Sequence, residues 1–300
     1  MLDLQQVSSF LAVVRAGSFV GAAEATGLSK AAVSRHVAEL EESLGVRLLH
    51  RTTRRLSLTD DVQRFHARAN ELAAAMEELE AETASRGGEA MGLLRINAPT
   101  TFGNLHLAPL WPRFTAANPK VSLDITLNDR LVDLVDEGYD LAIRITNMAS
   151  SQLVSRLLAT TRIVVCASPG YLALHGTPTQ PQELAKHQVL AYRYWSGGDD
   201  WRFDGPGGAV TVRVNPRIRT NSGDTCRAAA LEDQGIVLQP DFLVGDDLNR
   251  GTLVELMPQY RSVELGIHAV YPSRKHLPMK TRRLVDFLVQ SFERPAWQAH

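Results

Sequence analysis

Long apolar runs are missing from this chain. No stretch approaches the roughly 20 residues needed to cross a bilayer, and the first residues carry no signal-peptide pattern. A cytoplasmic protein with no membrane attachment is expected. Cysteine is almost missing too. Cys166 and Cys226 stand far apart in apolar settings, where they read as small buried hydrophobes in a reducing compartment. No zinc spacing surrounds them. The chain also lacks the common catalytic signatures: no GxSxG, no HExxH, no Walker loop, and no GxGxxG after a strand. Its nine histidines are scattered without a metal-like spacing, and His268 in GIHAVY reads as a packed strand residue. No catalytic residue, metal site or cofactor is therefore expected. A net charge of −1 argues against a wholly basic nucleic-acid binder.

What is present belongs to an ordinary globular protein. A length of 300 residues favours about two domains, each with a real core. The charge, although balanced, is unevenly placed. Arg47, Arg51, Arg54 and Arg55 lie together with no acid between them, and Glu77, Glu78, Glu80 and Glu82 crowd the segment that follows. A local basic stripe is what phosphate binding requires, whatever the charge of the whole chain.

That stripe follows three helical patterns. Leu4, Val7, Leu11 and Val14 repeat at spacings of three and four, which predicts an amphipathic helix from about 4 to 15. Gly17 ends it and Ser18 caps the next. The second carries Gly21, Ala22, Ala23 and Ala25, small residues that admit a close neighbour. A Gly27-Leu28-Ser29 turn leads to the third, with Ser29 as N-cap and Gly45 as its stop. There Val33, Val37, Leu40 and Leu44 share one side, and Lys30, Ala31, Ser34, Arg35 and Ala38 the other. The second face combines small residues with donors suited to base edges and phosphates. An ordinary helix pair with a solvated face would look the same. Val46 to Leu58, VRLLHRTTRRLSL, is β-rich and basic and reads as a two-stranded wing, its tip arginines placed for DNA backbone or minor groove. The arginines favour this over a merely solvated hairpin.

Thr59-Asp60-Asp61 opens a further helix with a cap and acids that suit the dipole. Val62, Phe65, Ala69, Leu72, Met76, Leu79 and Thr83 then follow at alternating spacings of three and four. Such a seam predicts a paired rod rather than a helix laid on a core, at roughly 1.5 Å of rise per residue. A long amphipathic core helix is the alternative. Gly87-Gly88 in SRGGEAMG breaks the pattern as a linker.

Beyond the linker the period changes. Strands are expected at Leu93–Ala98, Val121–Leu127 and Tyr139–Ile145, with helices at Leu105–Ala117 and Leu131–Glu137 between them. This order implies a parallel sheet with helices on both faces. Arg162–Ala167 starts a second unit, continued by a helix from about Gly223 to Gln234, a strand at Ile236–Gln239 and a helix from about Asp241. Trp201–Val214 reads as a hairpin bent at Gly205-Pro206-Gly207-Gly208. A strand at Gly266–Tyr271, able to return to the first sheet, and an amphipathic helix at Met279–Phe292 close the pattern. Two α/β lobes joined by two crossings make a hinged clamshell.

At this point the chain resembles a known family. GSFVGAAEATGLSKAAVSRHVAELEESLGVRLLHRTTRRLSLT is similar to the N-terminal signature of LysR-type transcriptional regulators. LRINAPTTFG, DLVDEGYDLAIRI, DFLVGDDL and GIHAVYPSRKHLP resemble the effector part, closest to the CrgA-like branch. The resemblance covers essentially the whole chain. It implies an N-terminal winged helix–turn–helix, a long linker helix, and a two-lobed α/β effector domain of the periplasmic-binding-protein kind. The corresponding ranges are 1–58, 59–88 and 89–300, with lobe I at about 92–161 plus 268–300 and lobe II at about 162–267. It further implies a sequence-specific regulator, not an enzyme, that reads inverted repeats in double-stranded promoter DNA. Such a regulator dimerises through the linker helix, usually forms a homotetramer, answers to a small-molecule effector, and has RNA polymerase as a possible partner. Carried across, the DNA-contacting positions are Ser29, Lys30, Ala31, Ser34 and Arg35, with Arg51, Thr53 and Arg54 in the wing.

Two departures matter. Many members have Gln where Lys30 stands, and Lys reads guanine or phosphate rather than adenine. Members usually continue after the wing with Ala-Gly where this chain has Asp61-Val62, a loss that stiffens the junction.

In open α/β sheets ligands sit beyond the carboxyl ends of strands, where helix N-termini point amides inward. Thr100-Thr101-Phe102 follows the first strand, Asn128-Asp129-Arg130 the second, and Asn221-Ser222-Gly223 precedes a helix of the other lobe; Thr100, Thr101, Asn128, Asn221 and Ser222 are the candidate contacts. Arg144, near its strand end, is placed to pair with a carboxylate effector. Caps, turns and a pairing of Arg144 with Asp140 or another acid are the bland alternatives. Tyr192, Tyr194 and Trp195 suit either an aromatic pocket or a core. A solute receptor with no regulatory work is the rival reading, against which the basic wing argues.

Overall fold

Helices α1 (Leu4–Ala16), α2 (Phe19–Thr26) and α3 (Lys30–Leu44) open the chain. In this computed structural model the described residues are 3–51, 56–58, 62, 65, 66, 68–70, 72, 73, 76, 89–147, 154–272 and 277–298. Each helix starts where a short polar side chain accepts an otherwise unbonded amide: Asp3 from Gln5, Ser18 from Gly21 and Ser29 from Ala32. Each ends on a glycine with φ between 61° and 68°, a left-handed turn that favours glycine. Val7, Phe10 and Leu11 of α1 meet Ala22 of α2 and Val33, Val37 and Leu40 of α3 in one buried cluster. The small face expected of α2 thus serves a close approach at Ala22, which is fully buried.

The wing follows as β1 (Leu49–Arg51) and β2 (Leu56–Leu58), antiparallel with Leu49 opposite Leu58. Its tip, with Thr53, Arg54 and Arg55, lies outside the described residues. So do Thr59-Asp60-Asp61, the acidic cluster, the end of the seam and Gly87-Gly88. Within the linker segment, positions 62, 65, 66, 68–70, 72, 73 and 76 are helical. Part of the expected seam faces inward instead of toward a second chain. Val62 and Ala69 are buried in the cluster built on α1 and α3, and Phe65 packs on it, its ring centroid 5.8 Å from that of Phe10. Leu72 is left 46% exposed. The period correctly marked an apolar stripe, but the chain's own α1 covers its first turns.

The effector domain is built on one sheet ordered β10-β7-β11-β6-β13-β5-β3-β4, with β12 added on β6. Lobe I holds β3 (Gly92–Ala98), β4 (Val121–Leu127) and β5 (Leu141–Thr146). Then β6 (Val154–Ala167) runs on into lobe II, where β7 (Val189–Tyr192), β8 (Asp200–Gly205), β9 (Gly208–Arg213), β10 (Pro216–Thr220), β11 (Ile236–Pro240) and β12 (Val254–Glu255) follow. The late strand β13 (Glu264–Tyr271) returns to pair with both β5 and β6. The sheet is therefore mixed, not parallel as expected: β3 is parallel to β4 and β5, but β13 is antiparallel to both its neighbours. Element order alone does not tell a returning strand's direction.

Two helix expectations are corrected. The first helical segment begins at Thr100, not Leu105, and passes through a π-turn at Gly103–Leu107 and a 3-10 turn at Ala108–Leu110 before α4 (Trp111–Ala117). Pro109 and Pro112 remove two ladder donors there. Leu131–Glu137 forms turns and no helix. Its alternation of exposed Leu131 and Asp133 with buried Val132 and Leu134 has a strand's period of two, not a helix's. Lobe II adds α5 (Pro169–His175), α6 (Gly223–Leu231) and α7 (Asp241–Arg250), and α8 (Met279–Ser291) lies at the end of the chain. Among the described residues no helix is long and apolar enough to cross a membrane.

Candidate DNA interface and effector seam

The exposed side of α3 follows from the buried one. With Val33, Val37 and Leu40 fully buried, helical geometry turns Ser29, Lys30, Ala31 and Arg35 outward, and all four are exposed, with Ser34 half-buried beside them. Arg35 Nε lies 3.8 Å from Glu39 Oε1, an exposed pair that leaves the guanidinium open to other partners. Behind this face Glu41 holds the wing. Its Oε1 accepts the backbone amides of Leu48 at 2.8 Å and Leu49 at 3.2 Å. Sequence reasoning missed Glu41, because nothing local distinguishes it from its neighbours Glu39 and Glu42. The backbone of Arg51 ends β1, at the base of the tip.

The groups expected at an effector site meet where the two lobes touch. The Thr100 amide donates to Asp129 Oδ1 at 2.7 Å, and the Thr101 hydroxyl donates to the Asp224 carboxylate on α6. Ser222 caps α6 by accepting the Thr225 amide at 3.2 Å, and Asn221 is exposed just before it. Tyr192, at the end of β7, has its hydroxyl beside the Asp129 carboxylate. Burial first, and then that carboxylate, push the phenol well above its ordinary pKa. So Thr101–Asp224 and Tyr192–Asp129 both cross from lobe to lobe. Asp129 falls within the expected segment after the second strand, whereas Asp224 lies outside the sequence candidates, since an acid in a first helical turn is commonplace. Asn128 Oδ1 and Gln239 Nε2 are buried without a hydrogen-bond partner among the described groups. Gln239 borders the same α6 terminus, its Oε1 3.2 Å from where a Cβ on Gly223 would stand.

Arg144 has a different neighbourhood. Its Nη1 donates to Asn97 Oδ1 at 2.9 Å and its Nη2 to the Val132 carbonyl at 3.1 Å. Burial lowers its pKa, opposed by the nearby Glu137 carboxylate. The alternative Arg144–Asp140 pair does not form. Asp140 Oδ2 accepts the Arg95 amide at 2.8 Å, and Lys280 Nζ lies 3.7 Å from Asp140 Oδ1. Trp195 packs on the second lobe's core, whereas Tyr194 is 46% exposed. Both cysteines are buried and free, and burial pushes their thiols up, Cys226 to about 11 and Cys166 further.

A capped helix–turn–helix with a wing, carried on a helix beside a two-lobed α/β domain, defines a DNA-binding regulator with an effector module. The comparisons narrow this further. The family described as "Bacterial regulatory helix-turn-helix protein, lysR family" matches residues 4–63, and "LysR substrate binding domain" matches 87–293. The chain belongs to the LysR family. It is 35% identical over 288 residues to the HTH-type transcriptional regulator CrgA of Neisseria meningitidis, covering 95% of this chain and 96% of that one. With the HTH-type transcriptional regulator PtxR of Pseudomonas aeruginosa it shares 34% over 287 residues, 96% of this chain and 92% of that one. The solved structure of CrgA from Neisseria meningitidis matches with a TM-score of 0.62 over 96% of this chain and 98% of that one, at 34% identity. Full-length AphB of Vibrio cholerae matches at 0.64 over 96% and 99%, at 27% identity. The chain is a LysR-type transcriptional regulator, not an enzyme, and it is similar to the CrgA-like members.

Proposed function

We propose that this regulator reads interrupted inverted repeats in promoter DNA as a dimer or tetramer, in the cytoplasm where that DNA lies. Ser29, Lys30, Ala31, Ser34 and Arg35 enter the major groove, and Arg51, Thr53 and Arg54 contact backbone or minor groove. One observation carries this reading: α3 buries one face completely and presents small and donor-bearing side chains on the other. Residues 1–58 are assigned to reading, 59–88 to linking and dimerisation, and 89–300 to sensing. RNA polymerase is a further partner of the assembly.

The effector is a small molecule held between the lobes near Thr100, Thr101, Asn128, Asn221 and Ser222. Of five buried side-chain polar atoms without a partner among the described groups, Asn128 Oδ1 follows β4 and Gln239 Nε2 borders the α6 terminus, and this supports a ligand there, because most buried polar atoms find a partner. Arg144 stands beside the site with its donors on Asn97 and Val132, which favours a bracing role over the expected carboxylate clamp. Effector binding closes the lobes and shifts the arrangement of DNA-binding units, and so alters DNA bending.

The test is binding to duplexes that the full-length protein selects from a randomised pool. The selected sequences should form inverted repeats, and affinity should fall steeply with salt. A flat salt response, or equal affinity for scrambled duplex, overturns the reading.

A further inference from the structure

Residues 130–139 connect β4 to β5 and touch two distant parts of the protein. At one end, Arg144 Nη2 holds the Val132 carbonyl while Nη1 holds Asn97, whose amide nitrogen reaches the Thr126 carbonyl at 3.3 Å. Thr126 lies two residues before Asn128, so this end is tied to the strand terminus at the inter-lobe seam. Arg130 forks onto Glu137 with bonds of 2.9 and 2.7 Å and closes the segment on itself. Val132 and Leu134 are buried with Ala142 and Val270 in a small core of their own. Asp133 Oδ1 accepts the amides of Val135 and Asp136 at 2.9 and 3.1 Å, which fixes the turn.

The other end clasps the DNA-reading unit. Asn70 Nδ2, from the linker helix, donates to the Val135 carbonyl at 3.3 Å, and Arg15 Nη2, from α1, donates to Asn70 Oδ1 at 3.1 Å. His66, 1% exposed, has its Nδ1 4.0 Å from Asp136 Oδ1 and its Nε2 3.1 Å from Asn70 Nδ2. Its ring stands edge-on to Phe10 of α1, with centroids 6.1 Å apart. Gly138 has φ +71°, and the space where a Cβ would go is 3.5 Å from Arg15 Nε.

We propose that residues 130–139 are a coupling strap: Arg144 fixes it at the inter-lobe seam, and through Asn70, with His66 packed beside Asp136, it restrains the linker helix and α1. The physical reason is the short, cross-braced path. Only Asp133 and Leu134 separate the carbonyl held by Arg144 from the one held by Asn70, and Leu134 is buried. A displacement at Val132 is therefore not absorbed before Val135. Arg144 is a positioning residue in this scheme. The strap's regulatory meaning rests on the seam being the effector site, but the coupling itself does not.

Hydrogen exchange on the full-length protein without ligand tests the coupling, with Arg144→Met, Asn70→Ala and the double variant beside wild type. Coupling predicts that Arg144→Met speeds exchange at the helical positions described between 62 and 76 by about fivefold or more, the low end of energetic coupling between sites. It also predicts that the double variant exchanges no faster there than the faster single variant. Leu288→Ala in α8, a core truncation outside the strap, should lower stability without a rise confined to 62–76. Unchanged protection at 62–76 in Arg144→Met, full additivity in the double variant, or the same local rise in Leu288→Ala would each overturn the proposal. If Arg144→Met does not fold, Asn70→Ala tests the link from the other end. Coupling is reciprocal, so exchange at 131–134 must rise, and unchanged protection there is equally fatal. Because no effector is used, a wrong effector site would leave these outcomes intact and show itself only as the lack of any ligand response.

Discussion

The hydroxyl of Thr101 donates to the carboxylate of Asp224 across the seam between the lobes, joining two residues 123 positions apart in the chain. Thr101 is 7% exposed, whereas Asp224 is exposed. Thr101→Val removes the donor and leaves the carboxylate to water. The expected loss is roughly 1 kcal/mol in urea unfolding, with Thr101→Ser close to wild type. An unchanged midpoint in Thr101→Val would mean that the bond contributes nothing to holding the lobes.

Arg35 stands open on α3, its side chain 68% exposed despite its Glu39 neighbour. Arg35→Ala should weaken binding to a selected duplex by roughly 1–3 kcal/mol if it reads a base edge. Titrations against selected and random duplex separate the cases. A loss equal on both would make Arg35 a phosphate contact.

Glu41 ties the start of the wing to α3 through two backbone amides. Glu41→Ala leaves both without that acceptor, and both belong to buried leucines, Leu48 and Leu49. The expected cost is about 1–3 kcal/mol of stability, accompanied by weaker duplex binding because the wing loses its seat. Thermal melts together with DNA titrations check this, and unaltered affinity in a destabilised variant would separate wing placement from reading.

Gly235 enters β11 with φ +152°, and a Cβ there would stand 2.6 Å from the Gln188 carbonyl. That carbonyl accepts the Ile236 amide at 2.9 Å, so the backbone has no room to give. Gly235→Ala is expected to cost roughly 1–3 kcal/mol through strain, read as a lower melting temperature. A melt within error of wild type would show that β7 and β11 slide apart easily.

Burial, with Arg15 nearby, lowers the pKa of His66 from 6.5 even though Asp136 pulls it upward. The unfolded chain therefore takes up this proton first as pH falls. Stability from the neutral imidazole is fully present above pH 6.5 and is lost as pH falls through the depressed value. Asp136, raised from 3.8 by its own burial and then by Asp133, works the other way. Its contribution is full below 3.8 and fades as pH rises through the raised value. His106, His187 and His268 are also lowered, so the informative quantity is the difference between wild type and His66→Gln. That difference should shrink as pH drops below 6.5 in urea titrations. A difference independent of pH would remove His66 from the balance.

Much of this molecule was legible from short-range pattern. The capping serines, the glycine stops, the apolar stripe of α3 and the wing's two strands depend on neighbours within a few residues, and each stands where the pattern put it. The period of two in 131–134 is equally visible, but an apolar run that short fits a helix as well as a strand. Tertiary structure decided what pattern cannot carry. It turned β13 antiparallel, covered Val62 and Ala69 with the chain's own α1, and gave Arg144 to Asn97 and Val132. The sequence by itself determined which faces are apolar and where the backbone caps, because those are local free energies. Which surface meets each face, and which acceptor takes each buried donor, were decided only when residues far apart in the chain competed for the same space.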